Sequence, residues 1–71
     1  MNKYSIQIAS GPDREKLVAE IWLNDIMIVE ISQEKPYLEI ELFFSDKFDF
    51  KLPYEEFLNV VMKAKKILLE E

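Results

Sequence analysis

The chain has no cysteine, no histidine and no threonine, and only one glycine and one arginine in 71 residues. Each gap removes a class of chemistry. Without cysteine there is no disulfide and no thiolate nucleophile, and without histidine as well there is no nitrogen or sulfur set for zinc. The missing histidine also removes the commonest general base. Ser5, Ser10, Ser32 and Ser45 therefore have no imidazole to activate them, and no serine–lysine motif replaces it. A single glycine, Gly11, cannot build a phosphate-cradling loop. Arg14 alone is not the clustered Lys and Arg that phosphate contacts need, so direct DNA or RNA binding is not expected. No run approaches the length of a membrane span. The N-terminal Tyr4-Ser5-Ile6-Gln7-Ile8 alternates apolar with polar residues, unlike the unbroken apolar stretch of a signal peptide. The reading is a non-enzymatic cytoplasmic domain with no cofactor, no metal and no membrane attachment.

What is present is an apolar, acidic chain. Seventy-one residues make one domain, 1–71, near the low end of what folds alone. A core of that size rarely supplies more than roughly 3–5 kcal/mol of net stability. With disulfide and zinc excluded, stability has to come from dense packing, self-association or a partner. An apolar fraction of 49% favours the first two.

The net charge of −5 is unevenly placed. Between Glu20 and Glu56 lie ten acidic residues against Lys35, Lys47 and Lys51, a balance of −7, while each end of the chain is at +1. Such a section is either a solubilising surface or one complementary to a basic partner. Glu39 and Glu41 share a strand face, as some general acid/base pairs do. A glycosidase-like pair has to flank a cleft, however, and a small flat sheet offers little concavity. Asp46 and Asp49 lack the glycine and bidentate glutamate of a calcium loop.

Alternation predicts a half-buried strand over 3–10, ended by Gly11-Pro12-Asp13. Strands over 17–23 and 26–31 flank Asn24-Asp25, which tolerates the left-handed conformation of a tight hairpin. With Leu23 opposite Ile26, Trp22 faces Met27, Ile21 faces Ile28 and Glu20 faces Val29. One face then holds Leu17, Ala19, Ile21, Leu23, Ile26 and Ile28; the other holds Val18, Trp22, Met27, Val29 and Ile31. After a loop at Ser32–Pro36, strands 37–44 and 48–52 form a second hairpin around Ser45-Asp46-Lys47. There Leu42 points to the core, Phe43 meets Asp49 and Glu41 meets Lys51. Pro53 opens an amphipathic helix with its apolar stripe on Tyr54, Phe57, Val61, Ala64 and Leu68, widened by Leu58, Val60 and Ile67. Glu55 and Glu56 suit its start, and Lys63, Lys65 and Lys66 lie toward its end.

The expected fold is therefore α+β: a five-stranded antiparallel β meander with one C-terminal helix packed on one face. One helix covers one sheet face. A central hairpin apolar on both sides would leave Trp22, Met27, Val29 and Ile31 uncovered, as a partner-binding or dimer surface. For Trp22, packing inside the fold and anchoring an interface both remain open.

The run from Gly11 through Asp13-Arg14-Glu15-Lys16 to Trp22, with Glu30-Ile31-Ser32-Gln33-Glu34 after it, resembles short bacterial reading frames of uncharacterised function associated with mobile elements. Phe50-x-Leu52 leading into the helix fits the same pattern. The resemblance implies a context of small accessory proteins, often inhibitors or immunity factors. In size and acidity the chain is also similar to many anti-CRISPR proteins. The functional expectation is an acidic inhibitor or modulator of a larger basic protein, such as a nucleic-acid-binding enzyme, with Glu39, Glu41, Asp46 and Asp49 presenting carboxylates to it. A homodimeric accessory subunit and an antitoxin or immunity protein are the alternatives.

Overall fold

The structure, a computed structural model, describes residues 3–11, 15–43 and 51–71. Among them are four strands, β1 (Tyr4–Ala9), β2 (Val18–Leu23), β3 (Ile26–Ser32) and β4 (Glu39–Leu42), and one helix, α1 (Tyr54–Glu70). The strands form one antiparallel meander in the order β1-β2-β3-β4. The class is the α+β one that the sequence predicts. The expected fifth strand over 48–52 is not among the described residues: Lys51 and Leu52 belong to no strand, and 44–50, which hold the expected turn and the rest of that strand, lie outside the described residues.

The β2–β3 turn forms at Asn24-Asp25, with Asn24 at φ 57°. Asparagine is among the few non-glycine residues that occupy this region readily. The Asn24 N–H donates to the Lys3 carbonyl at 2.8 Å, tying the turn to the start of β1.

One turn of chain beyond that hairpin, the expected register fails. Leu23 lies opposite Ile26 and Trp22 opposite Met27, but Ile21 then lies opposite Val29, so Ile28 is an extra residue on β3. A β-bulge places two residues against one and resets the alternation after it. Two consecutive apolar residues give the reason. Flush pairing would turn either Ile28 or Val29 away from the core, whereas the bulge buries both completely. The carbonyl of Ile28 is satisfied by the N–H of Phe43 at 2.8 Å.

The bulge corrects the assignment of faces. Val29 and Ile31 join Ala19 and Ile21 on the helix side, opposite their partners in the ladder. All are in the core with Ile28, Ala64 and Leu68. Val29 and Ile31 are therefore not part of an uncovered second face; only Trp22 and Met27 remain there. Glu20 meets Glu30 rather than Val29.

Helix α1 begins at Pro53, whose carbonyl accepts the Phe57 N–H at 2.9 Å. Proline loses nothing there because the first N–H groups of a helix have no intrahelical acceptor. Ala64 and Leu68 are buried, while Phe57, Val60 and Val61 pack partly against the core. Tyr54 does not join the stripe; it is exposed. The helix also runs further than its lysines suggest, so its last turn holds no basic residue and the dipole receives no help at that end. The helix lies across β2 and β1. Leu42 and Ile40 of β4 are on the helix side by register yet about half exposed, since the helix lies away from them. Among the described residues no helix is long and apolar enough to cross a membrane.

Candidate functional site

The register defines what the helix-free face presents. Antiparallel partners point to the same side of a sheet. The ladder therefore lines up Gln7, Glu20, Glu30 and Glu41 across all four strands. Beside that row, toward the hairpin turn, stand Ser5, Trp22 and Met27. On the other side stand Ala9, Val18, Ser32 and Glu39, of which Val18 and Ser32 are buried. With strands spaced by about 4.8 Å, the glutamate row spans on the order of 10 Å.

Each carboxylate sits differently. Glu20 accepts the indole Nε1–H of Trp22 at 3.2 Å. Glu41 is exposed and stands directly opposite Glu30. Glu39 is half-buried and takes a 2.8 Å ion pair from Lys35. The hydrogen bond and attraction of Glu39 hold the Lys35 ammonium above the ordinary lysine range. Glu39 thus shares its charge with a lysine close by, and Glu41 is the more outward of the two residues singled out from the sequence. Asp46 and Asp49 lie outside the described residues. Among the described residues no three carboxylates converge to hold a metal ion.

The loops at the far end of the sheet are joined through another carboxylate. Glu34 accepts the backbone N–H groups of Glu15 and Lys16 at 3.0 and 2.9 Å. Gln33 donates its side-chain N–H to the Leu17 carbonyl at 3.0 Å.

Trp22 is half-buried on the open face, where Ser5 and Met27 are its neighbours across the ladder. It lines a cleft of about 250 Å³ with Ser5, Gln7, Asn24 and Asp25. A second cleft, of about 300 Å³, lies on the helix side between β4 and α1, where Leu38, Ile40, Val61 and Met62 line an apolar groove. Met62 is 67% exposed there, and Glu39 and Lys65 also line the groove.

The structure thus brings Glu41 together with two residues that the sequence reading did not single out, Glu20 and Glu30. The signal was available in the alternation of β2 and β3, but reading it required knowing about the bulge. No protein-family model, no curated protein and no solved structure matches this chain.

Proposed function

We propose that the protein is a small, acidic, non-enzymatic binding protein that inhibits or modulates a larger, positively charged protein. A nucleic-acid enzyme such as a CRISPR effector is the concrete case, its basic channel occupied by position rather than by chemistry. The observation that carries this reading is the row Glu20, Glu30 and Glu41, set directly opposite one another on neighbouring strands of the face that the helix leaves open. Like charges placed this way destabilise a sheet by roughly 0.2–1 kcal/mol per pair. A basic partner would turn that repulsion into attraction.

The test is capture of partners on the immobilised chain and on its E20Q/E30Q/E41Q variant, at low and at high salt. Glutamine keeps the size of each side chain and, at Glu20, an acceptor for Trp22. The expected result is a basic protein held by the wild type, released by salt and absent from the variant. Equal retention by both chains would remove the acidic row as the contact.

A further inference from the structure

The glutamate row explains attraction to positive charge in general and leaves the cleft beside it without a role. That cleft has an aromatic wall, Trp22, and its remaining lining, Ser5, Gln7, Asn24 and Asp25, is polar. Among the described residues the lining includes no cation. It offers one carboxylate, two side-chain amide carbonyls and a hydroxyl as acceptors. Trp22 is also held in place: its N–H is engaged by Glu20 at 3.2 Å, so the surface it has left to offer is the face of the ring. An indole face attracts cations through its quadrupole, within about 6 Å of the ring centre. A carboxylate already bonded at the ring edge adds negative potential beside it.

Two kinds of protein cation could answer this chemistry, and their shapes differ. An ammonium is a compact, strongly hydrated point charge. A guanidinium is planar and more weakly hydrated, stacks on aromatic rings, and carries its donors in the plane of the ion. A flat indole wall with acceptors around it suits the planar ion. We propose that this cleft receives an arginine side chain of the protein partner, with its guanidinium stacked on Trp22 and hydrogen-bonded to Asp25 and Gln7. The inference rests on the reading of the open face as a surface for a basic protein, and it adds the residue type that the face selects.

Trp22 is the single tryptophan of the chain, so its emission and its indole N–H resonance report on this cleft alone. The probes are two synthetic peptides of equal length and charge, one basic through arginine and the other through lysine, each titrated at about 0.1 M salt. The arginine peptide is expected to bind about tenfold more tightly and to shift both indole signals. Gln7→Lys places a competing cation in the cleft from an exposed strand position. It should abolish the preference for arginine and leave weaker, salt-sensitive binding of both peptides. Trp22→Leu should do the same by calorimetry, and Gln7→Lys decides the matter if the leucine variant does not fold. Equal affinity of the two peptides with silent indole signals would overturn the arginine cleft while leaving the acidic row intact. Failure of both peptides to bind in a salt-sensitive way would overturn the acidic row and the cleft with it.

Discussion

Tyr4 puts a hydroxyl where no group among the described residues receives it. Its ring packs against the core and its oxygen is buried without a hydrogen-bond partner. A buried polar atom left unpaired costs about 1–3 kcal/mol, and removing it while keeping the ring recovers part of that. Tyr4→Phe is therefore expected to leave stability unchanged or raise it by up to about 1 kcal/mol in urea unfolding. Burial, and then the charge of Glu56, hold the phenol above its ordinary value of 10.0. In alkali the unfolded chain loses this proton first, so the unfolded state binds fewer protons and stability falls as pH rises. The contribution of Tyr4 is complete below about pH 10 and is lost as pH climbs through the raised folded value. The phenylalanine variant should lose stability less steeply above that point, and equal slopes would place the hydroxyl in water. That Tyr4 faces the core was legible from its alternation with Ser5. Its orphaned oxygen was not, because it depends on what the helix brings over β1.

Among the elements, the helix and β1 to β3 were readable because each carries a strong period, 3.6 in one case and 2 in the others. The bulge was not readable. In Ile26-Met27-Ile28-Val29-Glu30-Ile31 either parity buries apolar side chains, so local pattern does not say where the alternation slips. Only the demand that Ile28 and Val29 both be buried decides it. The error spread from there: it placed Val29 and Ile31 with Trp22 and hid the alignment of Glu20 with Glu30. The structure also separates two positions that the sequence reading kept off the uncovered face. Ile28 is fully buried, and Ile28→Ala should cost about 2–5 kcal/mol. Leu42, on the core side in the sequence reading, is 50% exposed because the helix lies over β2 and β1. Leu42→Ala should cost only on the order of 1 kcal/mol and leave the domain folded. Thermal unfolding of the two variants side by side checks this. A larger loss at Leu42 would mean that the helix sits nearer β4 than described.

At the scale of the molecule, the two sides of the sheet answer to different demands. The helix side holds the packed core, and the other side holds the glutamate row and Trp22. The sequence made the acidity of the middle section plain. It did not show that three of those acids line up in one row across a face, since Glu20, Glu30 and Glu41 come from three strands and only the register unites them. Glu41 separates the demands most cleanly, being exposed and directly opposite Glu30. If its charge serves binding, neutralising it should help the fold and hurt the function. Glu41→Gln is expected to raise stability by about 0.2–0.5 kcal/mol at low salt, through relief of like-charge repulsion across the ladder. The gain should fade as the Debye length shrinks from about 10 Å at 0.1 M salt to about 3 Å at 1 M. Over the same range, association of the wild type with a basic partner should slow, and the glutamine variant should start slower and depend less on salt. Denaturant unfolding and stopped-flow association, each run across salt concentrations, measure both halves. Loss of stability in Glu41→Gln at low salt would show the carboxylate holding the sheet together. The argument that Glu41 is kept for a partner at the expense of the fold would then fail, because this residue at the β4 edge would have a structural reason to be there.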